Sequence, residues 1–288
     1  MTMPIIQWYP GHIAKAERAL AEQLKRVDVV LEVRDARIPL ATRHPRLMNW
    51  VGQRDKLLVL NRMDMISAAL QREWRQWFEF HDELIHFVDA KHGKGIKAIA
   101  KATQTAGAVM NQRRRDRGMK PRPVRAVVLG FPNVGKSALI NRLLNRRVVE
   151  SARRAGVTRQ LRWVRMSDQL ELLDAPGVLP AQLKDQGAAL KLAICDDIGE
   201  AAYDYQRVAA ALVDLLKQVE QHPGNPRVTQ RLSDRYGLDA QTVNGETFLN
   251  EMALQNYQND SLRAARQLLT DFRKGILGTL ALDLPPTQ

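Results

Sequence analysis

Apolar residues fall along this chain in two rhythms. Through the first two-thirds, short solid apolar runs alternate with amphipathic stretches, the pattern of a mostly parallel α/β sheet. Ile13 to Lys25 predicts a helix. VDVVLEVRDAR (Val27 to Arg37) contains a buried strand, and KLLVLN (Lys56 to Asn61) and ELIHFVDA (Glu83 to Ala90) supply two more. Trp74, Trp77 and Phe78 stand at helical spacing and belong to the core, and a further helix starts near Ile96. The Arg-dense NQRRRDRGMKPRP (Asn111 to Pro123) predicts an exposed connection and not a packed element. PVRAVVLG (Pro123 to Gly130) is a strand that runs into a glycine-rich turn and a helix. Leu161 to Met166 and Gln169 to Gly177 form a strand pair about the Ser167-Asp168 turn. From about Gln186 the second rhythm takes over: apolar residues at helical spacing, little strand signal, and a break at HPGNP (His222 to Pro226).

The turn after the fourth apolar strand carries the first chemistry. GFPNVGKS (Gly130 to Ser137) fits the phosphate-binding pattern G-x-x-x-x-G-K-[ST]. Its glycines let successive N–H groups of Asn133, Val134, Gly135, Lys136, Ser137 and Ala138 turn inward toward phosphate oxygens. Lys136 reaches the β- and γ-phosphates, Ser137 ligates Mg²⁺, and the following helix adds the positive end of its dipole. Downstream, DAPG ends a strand; Asp174 is expected to hold Mg²⁺ through water, and the Gly177 N–H to meet the γ-phosphate. Between them, GVT offers Thr158 as a further Mg²⁺ ligand, on order and spacing alone.

A phosphate loop does not choose its base. An N-[KR]-x-D loop does, because its carboxylate accepts from both guanine N1–H and the exocyclic amine, donors that adenine lacks as a pair. LVLNRMD provides Asn61, Arg62, Met63 and Asp64 at the end of a strand, where α/β sheets bind ligands. FVDAK adds Asp89, Ala90 and Lys91, with Asp where Ser is usual and a backbone N–H for guanine O6. Both base loops precede the phosphate loop, the reverse of the common order. The expected fold is therefore α/β, a P-loop GTPase sheet with circularly permuted motif order over residues 1–181, followed by a smaller all-α domain over residues 182–288.

Composition adds a partner. Of 288 residues 45% are hydrophobic, and 44 Lys and Arg oppose 31 Asp and Glu for a formal charge of +13. Such an excess favours polyanions, because each neutralised phosphate releases counterions. Arg113, Arg114, Arg115, Arg117, Lys120, Arg122 and Arg125 crowd together with only Asp116 opposing. Arg146, Arg147, Arg153, Arg154, Arg159 and Arg162 flank the GVT segment, which with DAPG reads as the two nucleotide-sensing switches, and Arg263, Arg266, Arg273 and Lys274 lie near the end. Arginine at this density suits RNA phosphates. The single Cys195 excludes a disulfide framework and a four-thiolate zinc site. No apolar run has bilayer length and no signal pattern opens the chain, so a cytoplasmic, membrane-free monomer is expected. A P-loop ATPase or kinase, and a basic RNA-binding scaffold with structural nucleotide, are the other classes; Asp64 speaks against the first.

The permuted order together with WYPGHIAKA (Trp8 to Ala16), VVLEVRDARIP, NRMD, GFPNVGKS, GVT and DAPG resembles the YlqF-type ribosome biogenesis GTPase A family over nearly the whole chain. The resemblance implies binding of GTP and GDP, association with ribosomal RNA and the large ribosomal subunit, and a role in its late assembly. Val178 stands where Ras-like enzymes place a water-orienting glutamine, so intrinsic turnover is expected to be slow. The family's P-G-H motif puts the proposed catalytic histidine at His12. Asn133 resembles the residue of those GTPases that use K⁺ beside the phosphates.

Overall fold

The computed structural model describes residues 6, 20–145, 162–168, 170–175, 177, 183–199, 202–225 and 227–286. Six strands form one sheet in the order β3-β2-β1-β4-β6-β5. They are β1 (Val29–Asp35), β2 (Asp55–Asn61), β3 (Ile85–Val88), β4 (Val124–Leu129), β5 (Arg162–Ser167) and β6 (Leu170–Asp174). All neighbours run parallel except β5, which hairpins back antiparallel on β6. The Val-, Leu- and Ile-rich strands are explained by burial on both faces, as parallel sheets require. Val29, Leu31, Val33, Ala126 and Val128 face one apolar layer, while Val30, Val127 and Leu129 face another.

Residues 20–24 are helical. The helices after them are α1 (Leu47–Val51), α2 (Ala68–Phe80), α3 (Ile96–Asp116) and α4 (Lys136–Leu143). Ser67 caps α2 by accepting from Leu70 N at 3.2 Å, and Trp74 and Phe78 are fully buried beneath β2 and β3. The expectation of an exposed, unpacked Asn111–Pro123 connection holds from Arg117 onward and is corrected before it. Asn111 to Asp116 are the last turns of the 21-residue α3. Arginine and glutamine are good helix formers, and Arg113, Arg114 and Arg115 sit where the helix dipole favours cations, so charge density did not break the helix.

Beyond β6 the chain is helical: α5 (Gln186–Cys195), α6 (Tyr205–Val219), α7 (Val228–Tyr236), α8 (Gly245–Asn256) and α9 (Ser261–Lys274). Asp185, Asp204, Asn244 and Asp260 cap four of these through their side chains. Their apolar faces share one buried core with a face of the sheet. The following segment returns to β1: Leu282 N and Asp283 N donate to Arg37 O at 2.9 and 3.1 Å. The Asp283 carboxylate accepts from Leu40 and Ala41 N and pairs with Lys191 Nζ at 2.6 Å. Among the described residues no helix is long and apolar enough to cross a membrane.

Candidate nucleotide site

The carboxyl ends of β1, β2, β3, β4 and β6 lie along one edge of the sheet, and the N-R-M-D, D-A-K and phosphate loops and the segment after Asp174 leave from there. Asn61 is the last residue of β2 and is buried. Its Nδ2 donates to Val134 O at 2.8 Å, and its Oδ1 accepts from Ala90 N at 3.0 Å. One side chain thus joins the N-R-M-D loop, the D-A-K loop and the phosphate loop. The Ala90 N–H assigned by sequence to guanine O6 is engaged by Asn61 in this structure.

Arg62 adopts a left-handed backbone (φ 64°), unusual for a residue with a Cβ. Two contacts hold it: Nη1 pairs with Asp35 Oδ2 at 3.0 Å, and Nη2 donates to Asn133 O at 2.6 Å. Met63–Met65 form one 3₁₀ turn, tied down by Gln71 Nε2 donating to Met63 O at 2.9 Å. That turn leaves Asp64 exposed, with ligand atoms of Asp64, Asp89 and His92 all within 4.8 Å of one another. Asp89 does more than replace a serine. Its carboxylate accepts from Lys91 N and His92 N and from the His92 ring at 2.6 Å, closing a tight turn. Burial alone would raise its pKa, but the His92 and Lys91 hydrogen bonds hold it below the usual value. Arg142 of α4 donates to Ala90 O and Lys91 O and braces the loop from the phosphate side.

In the phosphate loop, Gly135 has φ 98° and a Cβ there would lie 2.1 Å from Asn61 Nδ2; only glycine admits the Asn61 bridge. Gly177 also presses close on Pro132, whose N and Cα would stand 2.7 Å from an added Cβ. Lys136 is buried and its Nζ donates to Phe131 O at 2.8 Å. Burial pulls its pKa down to about 8, against the attraction of Asp174 and Asp197. Asp174 is pushed up to about 6 by burial, opposed by Lys136, and its Oδ1 has no hydrogen-bond partner among the described residues.

Four residues outside the motifs complete the site. Asp35 is fully buried and holds two arginines: Arg37 bidentately, at 3.0 and 2.7 Å, and Arg62. Burial works against its ionised form, yet Arg37 and Arg62 together keep its pKa below the usual value. The C-terminal carbonyls of α5 converge on the same place. Cys195 O accepts from Arg37 Nη2 at 3.3 Å and Asp196 O from Asn133 Nδ2 at 2.6 Å. Ile194 O and Ala193 O accept from Arg273 of α9, each at 2.8 Å. These are acceptors at a helix end, here satisfied by Asn133 of the phosphate loop, Arg37 just after β1 and Arg273 of α9 together. Asp197, next in line, is fully buried with neither oxygen hydrogen-bonded among the described residues; burial and the Asp35 charge raise its pKa.

His12, Thr158, Val178 and the arginines at 146, 147, 153, 154 and 159 lie outside the described residues. Asn61, Arg62, Met63, Asp64, Asp89, Ala90, Lys91, Asn133, Val134, Gly135, Lys136, Ser137, Ala138, Asp174 and Gly177 lie on loops and element ends around this one edge.

The model of the 50S ribosome-binding GTPase family matches residues 125–232, from β4 onward. The chain is 37% identical over 235 residues to ribosome biogenesis GTPase A of Bacillus cereus, covering 82% of this chain and 77% of that one. The chain belongs to the ribosome biogenesis GTPase A family. Its counterpart in Bacillus licheniformis is 35% identical, over 82% and 80% of the two chains. Mitochondrial ribosome-associated GTPase 1 of Xenopus tropicalis is 29% identical, over 97% and 94%. The GNP-bound structure of YlqF from T. maritima shares the fold, with a TM-score of 0.63 at 19% identity over 95% of this chain and all of that one. The GDP-bound TM YlqF structure gives 0.62 at 20% identity, over 93% and 99%.

In this GTPase, sequence reasoning missed Asp35, Arg37, Asp196 and Asp197. In sequence the VRDAR segment shows only a strand and a family signature, although two arginines and an aspartate at the end of a buried strand must find partners. The Asp196-Asp197 pair carried no signal, because its partners lie in loops more than sixty residues away, as with the 63 separating Asn133 from Asp196.

Proposed function

We propose that this GTPase binds guanine nucleotide at the β1–β4 edge and that its nucleotide state governs association with ribosomal RNA in a large-subunit precursor during late assembly. The Asn61 bridge carries this reading, because it fixes the base loops and the phosphate loop in one frame. Asp64 selects guanine through its two donors, and Arg62 lies over the base. Asn133 to Ala138 wrap the phosphates, and Lys136 exchanges Phe131 O for phosphate oxygens.

The residues fit Mg²⁺: Asp174 offers a buried carboxylate oxygen that lacks a hydrogen-bond partner among the described residues, and Ser137 and Thr158 offer hydroxyls. Bound there, Mg²⁺ supplies neutralisation of charge on the phosphates. Gly177 N–H holds the γ-phosphate, and His12 orients the attacking water where Val178 cannot. Asn133 offers an amide oxygen, a neutral donor of the kind K⁺ takes. Residues 1–181 form the nucleotide domain and 182–288 the helical, ribosome-contacting domain of a cytoplasmic monomer without membrane attachment. The test is sedimentation with ribosomal subunits and their precursors. Co-sedimentation with the large-subunit particle that differs between GDP and a non-hydrolysable GTP analogue is expected; equal or absent binding in both states refutes the proposal.

A further inference from the structure

The arginines between α3 and β4 form a built concavity. Asn111 clamps the connection from inside: its Nδ2 donates to Arg122 O at 2.9 Å, and its Oδ1 accepts from Arg122 N at 3.0 Å. Gly118 (φ 70°) turns the chain, Met119 N returns to Arg114 O at 2.9 Å, and Arg114 Nε reaches Lys120 O at 3.1 Å. Arg122 is pinned bidentately to Asp28, both bonds at 2.8 Å. The result is a hollow of about 290 Å³ lined by Met110, Arg113, Arg114, Arg117, Met119 and Arg122.

Its charge is unbalanced. Arg122 has Asp28, but Arg113, Arg114 and Arg117 make no ion pair among the described residues. Asp116, the acid in their midst, accepts from Gln112 at 2.9 Å. Like charges three and four residues apart on a helix destabilise it, and a bound anion relieves that repulsion. Guanidinium forks match phosphodiester oxygens, and Met110 and Met119 add apolar surface to the lining that a ribose or base can meet.

Position decides what such a site does. β4 starts two residues beyond Arg122 and runs six residues to the phosphate loop. That places the hollow roughly 20 Å from the phosphate loop, at the opposite end of the strand. We propose that the hollow is an RNA-backbone site that anchors the protein independently of nucleotide state. This rests on the RNA-binding reading above and adds a location and a division of labour: the switches sense nucleotide, and the α3–β4 hollow does not.

The test uses the full chain with Arg113→Gln and Arg117→Gln combined. A labelled RNA hairpin with a single-stranded tail is titrated over a series of KCl concentrations, with GDP and with a non-hydrolysable GTP analogue. Loss of two phosphate contacts is expected to lower the slope of log affinity against log salt by about 1.4, and low-salt affinity about tenfold or more. The factor is expected to be the same in both nucleotide states, with GDP affinity unchanged. If wild type binds the hairpin and the variant binds it as well, the hollow is not the site, while RNA binding stands. A loss confined to one nucleotide state overturns the anchoring role. Failure of wild type to bind RNA removes both readings, and a variant that loses binding only to phosphatidylserine vesicles makes the hollow a lipid site instead.

Discussion

The side-chain amide of Asn61 donates to the carbonyl of Val134 at 2.8 Å, a hydrogen bond between residues 73 apart in sequence. With Ala90 N on its other end, Asn61 makes two buried bonds that no other residue type of its size supplies at once. Asn61→Ala leaves a carbonyl and an N–H unpaired, each costing about 1–3 kcal/mol. Weaker GDP binding by about tenfold or more is expected, together with a lower melting temperature of the ligand-free protein. Fluorescent GDP titration and thermal unfolding check both. Gly135→Ala is expected to act in the same direction, because its methyl occupies the place of Asn61 Nδ2.

The proposed selection of guanine by Asp64 can be tested directly. An Asp64→Asn variant presents a donor where guanine also has one, and suits the extra carbonyl of xanthine. Competition between GDP and XDP is expected to reverse in favour of XDP. Retained preference for GDP would mean that this carboxylate does not meet the base.

Asp35 is a single buried carboxylate between two arginines, one of them, Arg37, fully buried. Removing its charge strands both. Asp35→Asn is expected to cost about 3–5 kcal/mol in unfolding free energy, read from the urea midpoint. Wild-type stability in this variant would show that the pairs are incidental.

Asp174 makes stability depend on pH. Burial raises its carboxyl from the ordinary 3.8 to about 6 in the folded, ligand-free protein, so folding takes up a proton between those values. The stability tied to that proton is complete below 3.8 and is lost as pH rises through about 6. In Asp174→Asn the melting temperature is therefore expected to fall less than in wild type between those two values, while GTP hydrolysis is lost. Parallel melting curves of the two proteins across that window would refute the assignment.

Much of this was readable in the chain. The strands β1 to β4 are mostly apolar because burial on both faces leaves little room for alternation, the buried Glu32 and Arg34 of β1 pairing with each other; the phosphate loop shows itself because backbone approach to phosphate demands Gly130 and Gly135 at fixed offsets. What stayed hidden depends on distant partners. Arg113 to Arg115 look like a loop until α3 is seen to run on beneath them. Asp89 looks like a poor serine until His92 folds back on it. The end of α5 reveals its place only when Arg37, 158 residues away, reaches Cys195 O.

The α3–β4 connection has one more implication. β1 and β4 lie side by side at the centre of the sheet, yet the covalent path between the base-gripping and phosphate-gripping halves runs through the exposed turn at Gly118. A protease cut in that turn would leave two polypeptides meeting along a buried parallel seam, with neither holding a whole site. Guanine nucleotide would then act as the glue of a split protein, and its concentration would set how firmly the fragments stay together.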